Sequence, residues 1–248
     1  MSKVRKAKAR ARPKQLTLGG VLTVTRSDPG IRWARSAELE LLCGVDEVGR
    51  GPLAGPVVAG AVVVSVGQRF PKVADSKILT HEQRAELLAP IRAAALGHAV
   101  AACSVEEIDT LGILPASLLA MHRAVTAAVA MAGGQSCLVV VDGRECIPNW
   151  RGLQRPLVDG DATCAAVAAA SILAKEHRDE MLRTLDVELP AYGFARHKGY
   201  ATAEHLAALR AHGPTVHHRR SFEPLKSYLV TGTWPAHAPD ENVEHAAL

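Results

Sequence analysis

The sequence predicts an α/β fold. Three features carry that expectation. Short runs rich in Val, Leu and Ala alternate with segments that open on helix-capping residues. The run Val57 to Val66 is nearly continuous Val and Ala, as a strand buried on both faces must be. The segment Ala162 to Ala174 is apolar on almost every side of a helix, so it must be buried, and its small residues permit close contact with a sheet.

The elements follow in order. Ile31 to Glu40 is a short lead-in. Leu41 to Asp46 is the first strand and Val57 to Val66 the second, joined by a tight Gly/Pro loop. Thr80 caps a helix with Gln83 as its capping-box partner, and Pro90 should end it at about Ala89. Ala94 to Cys103 fits a strand. Ser104 and Glu107 form a second capping box, opening a short helix to Leu111. Pro115 stands in the first turn of a longer helix that Gly133-Gly134 stops. Cys137 to Val141 and Pro156 to Val158 are strands. The buried helix then turns polar at Lys175. Leu189 to Gly199 reads as a loop, and Thr202 caps a last helix to Ala211.

Charge divides the chain. The net is +4, yet residues 1–14 hold seven basic residues and no acid, which leaves −3 for the rest. Residues 1–30 therefore read as a basic disordered arm, residues 31–230 as the folded domain and residues 231–248 as a disordered tail. The arm suits nucleic acid or plain solvation equally. Five scattered cysteines without a CxxC pair read as buried thiols in a reducing compartment, not as disulfides or zinc ligands. No signal peptide is evident, and no apolar run reaches transmembrane length, 162–174 being the longest candidate. A soluble, cytoplasmic, monomeric protein without a membrane partner is the expectation.

The chemistry concentrates at element ends. Asp46-Glu47 closes the first strand, Asp142 the strand from Cys137, and Asp161 opens the buried helix. Four carboxylates without a matching His/Cys set suit Mg²⁺ or Mn²⁺ rather than zinc, and such clusters support two-metal phosphoryl chemistry. Each acid also has a plain reading, as a cap or a turn residue. The glycines after Glu47 let backbone N–H groups approach a phosphate or a sugar.

The run Gly44-Val45-Asp46-Glu47-Val48-Gly49-Arg50-Gly51-Pro52-Leu53-Ala54-Gly55-Pro56 resembles the opening motif of the ribonuclease HII (type 2 ribonuclease H) family. Asp75-Ser76-Lys77, Glu107-Ile108-Asp109, Val141-Asp142-Gly143, Gly160-Asp161-Ala162, Ala168 to Lys175, Tyr192-Gly193-Phe194, His197 to Tyr200 and His217 to Phe222 follow in the family's order. The resemblance spans about Leu41 to Leu229. It implies an RNase H-like fold: a mixed central sheet flanked by helices, with a small helical C-terminal part. It implies cleavage of RNA paired to DNA, and incision 5′ of single ribonucleotides in duplex DNA, leaving 3′-hydroxyl and 5′-phosphate ends.

By the same resemblance, Asp46, Glu47, Asp142 and Asp161 would be the metal-binding acids for two divalent ions. Gly49, Arg50 and Gly51 would read the 2′-hydroxyl and the RNA–DNA junction. Tyr200 would pack on the next deoxyribose, and Lys77, Lys175 and Arg178 would meet phosphates. Three positions depart from the family's usual residues: Asp159 where lysine is common, Gly112 where asparagine is, and Glu176-His177 where an uncharged pair is. The cluster His217 to Arg220 reads as phosphate-near or as packing rather than as a zinc site. A DNA-cutting nuclease of the same fold and a non-enzymatic nucleic-acid-binding protein are the rival readings.

Overall fold

The structure, a computed structural model, describes residues 21–23, 28–67, 69–71 and 79–235. In chain order these form β1 (Val21–Thr23), α1 (Pro29–Ser36), β2 (Leu41–Val48), β3 (Val57–Ser65), β4 (Arg69–Pro71), α2 (His81–Ala94) and β5 (Gly97–Cys103). Next come α3 (Val105–Leu111), α4 (Ile113–Met131), β6 (Leu138–Asp142), β7 (Gln154–Leu157), α5 (Gly160–Thr163) and α6 (Ala165–Glu188). Last are a 3₁₀ turn (Pro190–Tyr192), α7 (Phe194–His197), α8 (Ala203–His212) and α9 (Leu225–Thr231). Most of the arm and tail, with Lys77, lies outside the described residues; within the arm, Val21–Thr23 pairs with Arg69–Pro71 as a small separate sheet.

The main sheet runs β5-β3-β2-β6-β7. β3 pairs antiparallel with both β2 and β5, whereas β6 lies parallel to β2 and β7. The two-residue period of a strand divides the core. Cys43, Val45, Ala59, Ala61, Val139 and Val141 face α4. Leu42, Val62, Val64, Leu138 and Val140 face α6, with α1 and α2 beside it. Each helix seats on glycine. A Cβ at Gly44 would lie 2.2 Å from the Ala166 carbonyl carbon, one at Gly60 2.2 Å from the Ala170 oxygen, and one at Gly97 2.2 Å from the Ala128 oxygen.

Several boundaries move from the sequence reading. α2 continues through Pro90 to Ala94. Proline removes one N–H, but Glu86, four residues back, is exposed, so water can satisfy its carbonyl, while Ile91 is fully buried and anchors the last turn. β5 therefore starts at Gly97. β7 starts two residues earlier than expected and ends one earlier, and the buried helix is broken at the extended Cys164 into α5 and α6. Within the loop Leu189 to Gly199 a 3₁₀ turn and α7 form, and α9 was not foreseen. α4 is long and apolar enough to cross a membrane, contrary to the sequence reading. Its buried face, Ala116 to Ala128, packs on the sheet as a core helix does.

A third core holds the C-terminal helices. Leu182, Leu185, Tyr192, Phe194, Leu206, Leu209 and Leu225 enclose Leu53 and Ala54, which come from the loop after β2. Three histidines line this core. The His197 and His205 rings stack with centroids 4.4 Å apart, and His205 Nε2 lies 3.1 Å from His218 Nε2. Backbone partners set their tautomers. His205 Nδ1 donates to the Tyr200 carbonyl at 2.9 Å, so its Nε2 accepts from His218, whose Nδ1 accepts from the Thr215 amide at 3.0 Å. Burial holds His205 down to about 4 and His218 down to about 3.

These pKa values make folding depend on pH in one direction. Both imidazoles are neutral when folded, and the unfolded chain takes up protons below about pH 6.5. Their contribution is complete above that pH and is lost as pH falls toward about 4. By pH 5 each histidine should cost about 2 kcal/mol of stability relative to pH 7. Urea unfolding at pH 7 and pH 5 checks this. His218→Gln, less stable at pH 7, should lose less than the native chain between the two values; an equal loss would remove the histidines from the account.

Candidate active site

Parallel pairing places Val45 opposite Val141, so one step further Asp46 lies across from Asp142, both on the α6 side of the sheet. β strands here stand about 4.8 Å apart, so the two carboxylates are neighbours by register alone. Asp46 is buried and accepts from the Glu47 amide at 2.7 Å and from the Ser171 hydroxyl on α6. Asp142 accepts from the Gly160 amide at 2.8 Å. That bond ties the end of β6 to the turn that presents the buried Asp161.

The field at Asp46 records the convergence of all four acids. Burial pushes its carboxyl well above the ordinary carboxylate range, and Asp142, Glu47 and Asp161 push it further, against the Ser171 hydrogen bond. Glu47 is also raised by burial and by Asp142, while Arg50 opposes this from 3.4 Å. Among the described residues no three His, Cys, Asp or Glu side chains are placed to close on one ion as they stand. The donor set is nonetheless all oxygen, and the mutual repulsion is of the kind a divalent cation relieves. Asp46, Glu47, Asp142 and Asp161 are thus the residues that could hold Mg²⁺ or Mn²⁺.

The loop after β2 borders these acids. Gly49 has φ of +92°, and a Cβ there would meet Arg178 Nε at 2.3 Å, so glycine is required on two counts. Arg50 projects outward, half exposed, beside Glu47. Tyr200 lies against Gly51, its ring edge 3.5 Å from where a Cβ would be. The structure therefore brings Gly49, Arg50, Gly51 and Tyr200 together at the edge of the acid cluster.

The basic residues divide. Lys175, half-buried on α6 one turn beyond Ser171, has its ammonium pulled down by burial and by Arg84. Arg178 does not meet phosphate as the sequence reading expected. It is fully buried and donates to the carbonyls of Pro56, Lys198 and Ala54 at 3.1 Å each, fastening the loop to α6 and to the turn before Tyr200. Of the departing positions, Asp159 is exposed. Glu176 is buried and paired with Arg84 Nε at 2.6 Å and His81 Nδ1 at 2.7 Å, which joins α2 to α6.

The supporting roles of three residues escaped the sequence reading. Ser171 stood within the matched run Ala168 to Lys175, but nothing there assigned it to Asp46. Asp28 accepts from the amides of Gly30 and Ile31 and, at 3.0 Å, from Ala165 at the start of α6. Its signal was available, because an acid followed by proline marks a helix start. Asp109 accepts from the amides of Arg220 and Ser221 at 2.9 Å each. No local pattern announces that partnership across 111 residues.

The profile of the family described as Ribonuclease HII matches residues 43–224. A ribonuclease HII of Thiobacillus denitrificans is 54% identical over 76% of this chain and 90% of its own length. One of Verminephrobacter eiseniae is 50% identical over 83% of this chain and 95% of its own. Among solved structures, the ribonuclease H2 of Pyrococcus horikoshii OT3 superposes with a TM-score of 0.56 at 22% identity, covering 75% of this chain and 96% of its own. A Bst-RNase HIII in complex with Mn²⁺ gives 0.62 at 20% identity, covering 83% and 73%. These two show the fold.

The repulsion at Asp46 has a measurable consequence. A carboxyl raised in the folded state stabilises the fold least when it is ionised, so its cost grows as pH rises through the folded pKa. Asp46→Asn should therefore raise the thermal unfolding midpoint at pH 7 in the presence of a chelator, and the gain should shrink at pH 4. A lower midpoint for the variant at pH 7 would mean that the acids do not repel one another as described.

Proposed function

The chain belongs to the ribonuclease HII family, endonucleases that cleave RNA in RNA–DNA hybrids. From that premise we propose that it also incises duplex DNA on the 5′ side of a single embedded ribonucleotide, by two-metal-ion hydrolysis, leaving 3′-hydroxyl and 5′-phosphate ends. The observation that carries the reading is the adjacency of two features. The four acids share one field at the ends of β2 and β6, and the Gly49-Arg50-Gly51 loop with Tyr200 stands at their edge.

Two divalent ions, Mg²⁺ or Mn²⁺, would be held by Asp46, Glu47, Asp142 and Asp161, and when bound they supply nucleophile activation and charge neutralisation at the leaving 3′ oxygen. The chain's own residues do the rest. Ser171 and the Gly160 amide orient Asp46 and Asp142. The loop amides are donors for a ribose 2′-hydroxyl, which is what separates RNA from DNA at one sugar. Tyr200 packs on the following deoxyribose, where a second 2′-hydroxyl would meet the ring. Selection thus combines an attraction at one sugar with a steric penalty at the next. Lys175 supplies positive charge toward phosphate; Lys77 is proposed for the same role.

Action as a monomer in the cytoplasm, with a part in removing ribonucleotides during DNA replication and repair, completes the proposal. The compartment is supported by five unpaired cysteines, four of them buried, as a reducing environment would keep them.

A labelled duplex with one embedded ribonucleotide, incubated with Mg²⁺ or Mn²⁺, tests the reading by the mapped cut; an uncut duplex, or an all-DNA duplex cut as fast, would overturn it. Asp142→Asn should lower turnover by at least roughly 10²–10³-fold while hybrid binding stays near the native value, because the charge it removes acts mainly in the transition state. Tyr200→Ala should slow incision at a single ribonucleotide far more than cleavage of continuous hybrid in side-by-side single-turnover assays. An equal fall on both substrates would reduce Tyr200 to a packing residue.

A further inference from the structure

Arg219 is fully buried, yet it lies 170 positions from the loop that it touches. Its guanidinium donates to Gly49 O at 2.5 Å, Arg50 O at 2.8 Å and Gly55 O at 3.0 and 2.8 Å. Burial and the neighbouring Arg178 pull it down to about 9, so it is charged at neutral pH. The strand-like segment that carries it also pairs with the loop: the Gly55 amide donates to His217 O and the Arg219 amide to Leu53 O.

In a trans peptide the carbonyl and the following N–H point in opposite directions. With the Gly49 and Arg50 carbonyls drawn onto Arg219, the amides of Arg50 and Gly51 are turned away from it. Neither amide has an acceptor among the described residues. Tyr200 stands beside Gly51.

We propose that Arg219 is a positioning residue for ribose recognition, its guanidinium aiming the Arg50 and Gly51 amides at the 2′-hydroxyl. The inference rests on the activity proposed above. Arg219 itself touches no substrate. A lysine in its place keeps the charge but has no planar fork to hold two successive carbonyls.

Single-turnover incision of a duplex with one embedded ribonucleotide tests the proposal through its two parameters. Affinity comes mainly from phosphate contacts, whereas the rate at saturation depends on alignment. Arg219→Lys should lower the saturating rate by at least about tenfold with the half-saturating concentration changed less than about threefold. Met121→Ala, which opens a cavity in the core under α4, serves as a destabilised control and should keep both parameters. Asp109→Ala releases the Arg220–Ser221 turn while leaving the guanidinium present, and it should shift the saturating rate in the same direction. It decides the matter if Arg219→Lys does not fold. A native saturating rate in the variant, or a loss wholly in half-saturation, would overturn the role of Arg219. If the native chain itself does not incise this duplex, the proposed activity fails first and the inference with it.

Discussion

Helix α6 lies on the sheet at backbone contact distance because Gly44 and Gly60 present no Cβ to Ala166 and Ala170. The site depends on that approach. It brings Ser171 within hydrogen-bonding reach of Asp46 and buries Asp46 beneath the helix. It also sets the place where α6 must begin, and so the break at Cys164 and the turn that carries Asp161. Interiors packed at crystal-like density transmit such constraints without slack. Asp28, by capping α1 and α6 together, fixes the start of α6 from the opposite side.

The acids and the loop illustrate two different treatments of buried charge. Asp46 is left beside like charges, with its carboxyl raised; this is a cost in the folded state of the kind a bound divalent cation would offset. Arg178 and Arg219 are buried without a carboxylate partner among the described residues. Their N–H groups are given to main-chain carbonyls of the loop, of the turn at Lys198, or of both. A guanidinium suits that task because its fork is planar and rigid, so it fixes the direction of each carbonyl as well as its position. Helix α6 and the segment between α8 and α9 thereby fix the backbone of the Gly49-Arg50-Gly51 loop from behind.

Local chemistry is legible where it depends on neighbouring residues. The capping boxes at Thr80 and Ser104, the buried run of β3, the opening motif and the four acids all stand in short windows of the chain. Pro90 misled because a proline signal reports on one hydrogen bond, while the burial of Ile91 decides where the helix stays. α4 passes a test of length and mean hydropathy although Ser117, His122, Arg123 and Thr126 interrupt its apolar run; apolar content counts residues and does not say which face is covered.

The sequence by itself determined the alternation of elements, the oxygen-only donor set and the glycines at which the backbone could be approached. The elements and the glycines follow from residue type and spacing of at most a few turns; the four acids were joined into one set by the family resemblance, and their meeting in space is the work of the β2–β6 pairing. Only the tertiary structure decided what approached. It took Arg178 away from phosphate and gave it to the loop, paired Glu176 with Arg84, and set Arg219 behind Gly49 and Arg50. These partners are 92 to 170 positions apart. A buried donor must find an acceptor wherever the packing of helices on the sheet leaves one, and that choice is made by the whole fold rather than by the neighbours in the chain.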